Sequence, residues 1–166
     1  MEKNLESLEA LQKFKDIIAE VQVCMFITST TQNEIARPMA TIHMEEDGTL
    51  WFFANRTSGK VHDLNTDHVV HLVYAHPGKS AYMDVWGLAN VVADRQKLKE
   101  MWKPMVKAWF PNGPDDVALC LIKVKPNDAH YWDNESGRMI EFMRLMTAVV
   151  TGEPVGDSVE GSLELH

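Results

Sequence analysis

Apolar, β-branched runs follow one another along this chain, with turns rather than helices at several of the joints. Val21 to Thr28, Ile35 to Met44, Thr49 to Asn55, His68 to Ala75, Ser80 to Ala93, Val117 to Val124 and Ala129 to Trp132 each read as a strand. Glu45-Glu46-Asp47-Gly48 joins the second run to the third as a hairpin, and His76-Pro77-Gly78-Lys79 turns the fourth into the fifth. A doubly wound parallel sheet needs helices between most strands, and this order lacks them. The pattern predicts a mainly β fold, a closed antiparallel barrel with a few flanking α-helices.

The helices are set apart by a different period. Leu5, Leu8, Leu11, Phe14, Ile17, Ile18 and Val21 recur every three or four residues, as one face of an amphipathic helix does. Thr57-Ser58 opens a short helix reaching about Asn65, and Asp94 caps another that Pro104 ends. Arg138 to Thr151 reads as a last helix stopped by Gly152. Its Met139, Met143 and Met146 form a packing face for the barrel or for a partner subunit. Pro38 marks an edge or a bulge in its strand, and Gly87 a bulge or a bend. Residues 1–152 are expected to form one domain, and 153–166 an acidic, flexible tail.

Charge narrows the function classes. Lys and Arg number 16 against 24 Asp and Glu, a formal net charge of −8. That argues against a general nucleic-acid binder or an electrostatic membrane anchor, both of which need a basic surface. No run approaches the roughly 20 apolar residues of a membrane span. The first six residues lack the pattern of a secretory leader, and Cys24 and Cys120 make no disulfide framework, so the cytoplasm is the expected compartment. Both cysteines sit in apolar strand patterns, where a thiol is inert more often than reactive. Gly78-Lys79-Ser80 ends like a phosphate-binding loop, but Val73 stands where that motif needs Gly, which leaves a hairpin turn. There is no Gly-x-Ser-x-Gly elbow. His62, His68, His71 and His76 match no closed zinc spacing, and no metal is expected.

One constellation survives. Arg37 lies in a stretch from Ile35 to Met44 without a carboxylate, and Arg56 and Lys60 lie in another from Gly48 to His62. Thr57 and Ser58 open a helix between them, so hydroxyls, free backbone N–H groups and the positive end of the helix dipole join the cations. Together they suit a small anion, most plausibly a phosphate. Solvated surface charge beside an ordinary cap is the competing reading. Trp51, Phe52 and Phe53 on the strand delivering this loop favour a planar ring on a phosphorylated tail, although core packing is the default for aromatics.

The ordered blocks Ala36-Arg37-Pro38-Met39-Ala40-Thr41, Asp47 to Asn55 and Ser58-Gly59-Lys60 resemble the flavin-binding half of the pyridoxamine 5'-phosphate oxidase-like family. Tyr82 to Gly87, Trp109 to Asp116 and Tyr131-Trp132-Asp133 extend the resemblance toward its general-stress-protein branch. The resemblance implies a six-stranded antiparallel split barrel and a homodimer with FMN in the cleft between subunits. It implies that Arg37, Ser58 and Lys60 hold the FMN phosphate. Pro38 and Met39 would line the isoalloxazine, with Phe53 and Ala54 along the ribityl chain and ring. Tyr82 would flank the flavin, and Trp132 would approach from the other subunit. Two departures argue against pyridoxamine-phosphate oxidation itself. Ile42 stands where the vitamin-forming oxidases carry Lys, and Asp133-Asn134 follows Trp132 where they carry a Gly-Gly block and an Arg; Arg138 is the nearest Arg here.

The expectation is an FMN-dependent oxidoreductase acting on a small molecule, with a nicotinamide or another small donor and an association with stress. A non-catalytic flavin carrier or sensor is the alternative. A heme- or deazaflavin-binding relative is a third, with His68, His71 or His130 as heme ligands.

Overall fold

The structure, a computed structural model, describes residues 5–133 and 159–164. Chain order among them is β1 (Leu5–Glu6), α1 (Ser7–Glu20), β2 (Val23–Ser29), β3 (Glu34–Ala40), β4 (His43–Met44) and β5 (Leu50–Asn55). There follow α2 (Gly59–Thr66), β6 (Val69–His76), β7 (Ala81–Val92), α3 (Arg95–Met101), β8 (Leu119–Asp133) and β9 (Val159–Glu164). Short 3-10 turns occupy Pro77–Lys79 and Pro104–Ala108.

The described strands form one curled sheet, ordered β1-β9-β8-β7-β6-β2-β3, with β5 pairing both β4 and β8. All its pairs are antiparallel except β1 with β9. The fold class expected from the sequence therefore holds, with a different strand count: nine strands replace six, because β1, β4 and β9 extend the sheet. Among the described residues no ladder joins β3 to β5, and that gap is the split of the barrel. Pro38 lacks an N–H to give a neighbour and lies in β3, which ends the sheet order, as an edge strand allows.

Alternation fixes which residues fill the barrel. In β2, Cys24, Phe26 and Thr28 are buried, and in β7, Ala81, Met83, Val85, Gly87 and Ala89 are. α1 lays Ala10, Phe14, Ile17 and Ile18 onto that core. β5 breaks the alternation, since Leu50 to Ala54 are all buried. Leu50, Phe52 and Ala54 join the main core, while Trp51 and Phe53 enter a second cluster with Leu98, Val106, Leu119 and Leu121. A strand buried on both faces reads as a continuous apolar run, which is how β5 reads.

Opposite Gly87 of β7, β8 bulges: Asn127 is the extra residue there. The β7–β8 register shifts between Trp86 and Gly87, and a Cβ on Gly87 would stand 2.6 Å from the Lys125 carbonyl oxygen. Pro126 pairs with Gly87 beside that bulge, and β8 runs unbroken where the sequence predicts separate strands. Strand β9 lies inside the stretch expected to be a flexible tail and pairs with β8 from Asp128 to Asp133. The expected helix from Arg138 to Thr151 lies outside the described residues.

Candidate functional site

The site is built where β5 gives way to α2. Asn55 organises the turn: its Oδ1 accepts from the Thr57 amide (2.9 Å) and the Thr57 hydroxyl (2.8 Å), and its carbonyl accepts from the Ser58 amide (3.0 Å). The Arg56 amide donates to the Ala118 carbonyl at 2.7 Å, tying the turn to the loop before β8. Ser58 is the N-cap of α2, yet its side chain makes no cap hydrogen bond. Its Oγ is buried and has no hydrogen-bond partner. A buried hydroxyl without a partner is costly, and this one sits at a helix start, where anions are favoured.

Arg37 reaches this corner from β3. Its Nη1 donates to Thr28 Oγ1 at 2.8 Å and its Nη2 to Asp63 Oδ2 at 3.2 Å. The same Asp63 oxygen accepts from the Thr28 hydroxyl at 2.8 Å. Thr28 is fully buried on β2, and Asp63, on α2, is only 9% exposed. Gly59 opens the helix directly beneath the guanidinium, since a Cβ there would lie 3.3 Å from Nη2. Lys60 is half-buried beside them. Its pKa is lowered below 10.5, first by burial and then by the charge of Arg37. Two cations thus lie near enough for one charge to act on the other, with a single carboxylate bonded to Arg37.

An apolar cavity of about 240 Å³ opens next to Lys60 at the split between β3 and β5. Pro38, Met39 and Ala40 line it from β3, Val23 from β2, Phe53 from β5, and Ile42 from the link between β3 and β4. Val106, Trp109 and Phe110 close one side. Phe53 meets Trp102 edge to face (ring centres 5.7 Å apart) and Phe110 at a tilt (6.3 Å). The side chain Ile42 puts into this lining is apolar.

Of the residues singled out in the sequence, Arg37, Ser58 and Lys60 converge, and Pro38, Met39 and Phe53 line the adjoining cavity. Ala54 does not line it. It alternates with Phe53 and is buried in the main core. Tyr82 and Trp132 do not line it either. They are register partners across β7 and β8, both exposed on the outer face of the sheet. Sequence reasoning missed Thr28 and Asp63. A carboxylate sharing the buried face of α2 with Val61 and Leu64 was the available signal.

Several other groups prove structural. Burial pushes the Cys24 thiol up to about 12 and raises that of Cys120, so neither is a ready nucleophile. His71 hydrogen-bonds Asp84 and stacks on Trp86 with ring centres 4.2 Å apart, while His68 contacts the Ala89 carbonyl. His76 caps a 3-10 turn. No described helix is long and apolar enough to cross a membrane.

The curled antiparallel sheet, its open seam and the basic corner beside it define a split-barrel protein. The chain belongs to the pyridoxamine 5'-phosphate oxidase-like family, whose profile matches residues 9–156. Protein bli-3 of Neurospora crassa is 28% identical over 157 residues, spanning 86% of this chain and 75% of that one. General stress protein 26 of Bacillus subtilis is 23% identical over 121 residues, spanning 70% of this chain and 84% of that one. Among solved structures, the general stress FMN/FAD binding protein of Xanthomonas citri superposes with a TM-score of 0.69 at 25% identity, covering 79% of this chain and 93% of that one.

Proposed function

We propose that this chain binds FMN and serves as a flavin-dependent oxidoreductase for a small molecule. The observation that carries the reading is the gathering of Arg37 and Lys60 with the unpartnered Ser58 hydroxyl at the start of α2, beside an apolar cavity that Lys60 helps to line. In this reading Ser58 donates its hydroxyl to the phosphate, and Arg37 and Lys60 give it charge-assisted hydrogen bonds. Pro38, Met39 and Phe53 offer the ring system a dry wall, which strengthens each polar contact beside it. A bound flavin supplies hydride and single-electron chemistry, and the protein supplies position and field. The FMN/FAD-binding relative in Xanthomonas citri supports the flavin assignment.

The working unit in this reading is a homodimer. Val23, Met25, Val69, Trp86 and Leu88 are each at least 40% exposed on the outer sheet face, and Tyr82 and Trp132 extend the patch. An apolar patch of this kind on a soluble protein marks an interaction surface. Val23 and Pro38 belong both to this face and to the cavity lining, so a second copy seated there also walls the cavity. Trp132 of one copy is then available to the site of the other.

The absorption spectrum of the purified protein, with chromatography of what denaturation releases, tests the cofactor. Released FMN supports the reading, and a colourless protein that takes up no added flavin contradicts it. A flavin carrier is the second reading, favoured by a cavity in which Lys60 is the only charged residue among the described lining. Steady oxidation of NADH or NADPH with an added acceptor selects the enzyme, and a loaded protein without turnover selects the carrier.

A further inference from the structure

We infer that Asp63 and Thr28 are positioning residues that hold the Arg37 guanidinium over the first turn of α2, and that they make the site select a phosphorylated flavin over an unphosphorylated one. The inference rests on the flavin reading above and concerns residues that touch no flavin themselves.

The three side chains close a ring of hydrogen bonds. The only proton of the Thr28 hydroxyl goes to Asp63 Oδ2 at 2.8 Å, which leaves Thr28 Oγ1 as acceptor for Arg37 Nη1 at 2.8 Å. Nη2 then meets the same carboxylate oxygen at 3.2 Å. Thr28 and Asp63 are buried, whereas the Arg37 side chain keeps 24% exposure, so the ring is anchored on its inner side and open on its outer side. A guanidinium carries more N–H groups than these bonds use, and the rest remain for a ligand. A free arginine on an edge strand would spread over many rotamers, and fixing it before binding removes an entropic cost from the complex. Gly59 completes the device, because any side chain there would press on Nη2.

Loss of a buried ion pair serving only the fold would also weaken FMN binding, but it would weaken riboflavin binding alike. Selectivity separates the cases, because phosphate meets Arg37 and riboflavin lacks phosphate. The experiment titrates the apoprotein with FMN and with riboflavin for wild type, Thr28→Val, Asp63→Ala, Asp63→Asn and Gly59→Ala. Thr28→Val and Asp63→Ala are expected to lower FMN affinity about tenfold while riboflavin affinity moves less than about twofold. Asp63→Asn keeps an acceptor oxygen and is expected to lose less than Asp63→Ala. Gly59→Ala leaves the buried Thr28–Asp63 hydrogen bond in place and crowds the guanidinium from outside, so it carries the test even if the buried variants fail to fold, and it is expected to lower FMN affinity more than riboflavin affinity. Equal losses for both flavins, or FMN affinity unchanged in the variants, overturns the inference alone. Wild-type protein that binds neither flavin overturns the flavin reading and this inference with it.

Discussion

Arg37 Nη2 stands 3.2 Å from Asp63 Oδ2, a contact that ties the edge strand β3 to helix α2 across the seam of the barrel. Asp63 is on the buried face of its helix, so the pair fixes Arg37 from within. Lys60 feels the charge of the same guanidinium, which after burial is among the causes that lower its pKa. The corner therefore holds more positive charge than its own carboxylate offsets, in a protein whose net charge is −8.

Replacing Lys60 with Ala removes a charge-assisted contact to the phosphate. The expected loss in FMN affinity is about 1.5–3 kcal/mol. Fluorescence titration measures it, and unchanged affinity removes Lys60 from the site.

The lowered pKa of Lys60 also predicts a pH dependence. Between its folded-state pKa and 10.5, the unfolded chain holds the proton that the folded chain has released, so this group's contribution to stability rises with pH there. A bound phosphate favours the ammonium and reverses the trend. Thermal melts from neutral to alkaline pH should show the stabilisation by FMN shrinking as pH rises. A constant increment would contradict the placement of Lys60 beside the anion.

Ser58→Ala is expected to move stability and affinity in opposite directions. The unliganded protein loses a buried hydroxyl without a partner and should gain up to about 1–3 kcal/mol in denaturant unfolding. FMN affinity should fall in the same variant. A hydroxyl serving only as a cap would leave the free protein less stable instead.

Trp86→Glu or Leu88→Glu places a charge in the exposed apolar face of the sheet. In sedimentation both variants should shift from dimer to monomer and lose flavin together. A wild-type protein sedimenting as a flavin-loaded monomer would rule out a site completed by a second chain.

Gly87→Val tests the bulge. A Cβ meets the Lys125 carbonyl oxygen at 2.6 Å, with the Lys125 carbonyl carbon and Pro126 Cα each at 3.1 Å, and these are backbone atoms of a paired strand. Overpacking of this kind costs about 1–3 kcal/mol. A melting temperature equal to wild type would mean that β8 moves aside freely.

Much of the sheet was legible because its punctuation is local. Asp47-Gly48 turns the chain wherever it lies, and Asp94 caps α3 through the Lys97 amide at 3.1 Å. β8 was harder, because Pro126 reads as a break until the adjacent bulge at Asn127, opposite Gly87, is known. Strand β9 was hidden because its polar stretch pairs through backbone, which composition does not record. Arg37 and Lys60 stood out as cations in stretches free of carboxylates. Asp63 did not, because its meaning depends on Thr28, 35 positions away in the chain. Tyr82 and Trp132 were tied to the flavin only by resemblance, and strand register puts both on the outer face, away from their own chain's cavity.

The most direct measurement is a crystal structure of the protein grown with excess FMN. The account predicts the phosphate within hydrogen-bonding distance of Ser58 Oγ, Lys60 Nζ and Arg37, with the ring along Pro38, Met39 and Phe53. A phosphate bound elsewhere, or Lys60 and Arg37 turned to bulk solvent beside a vacant corner, would contradict it.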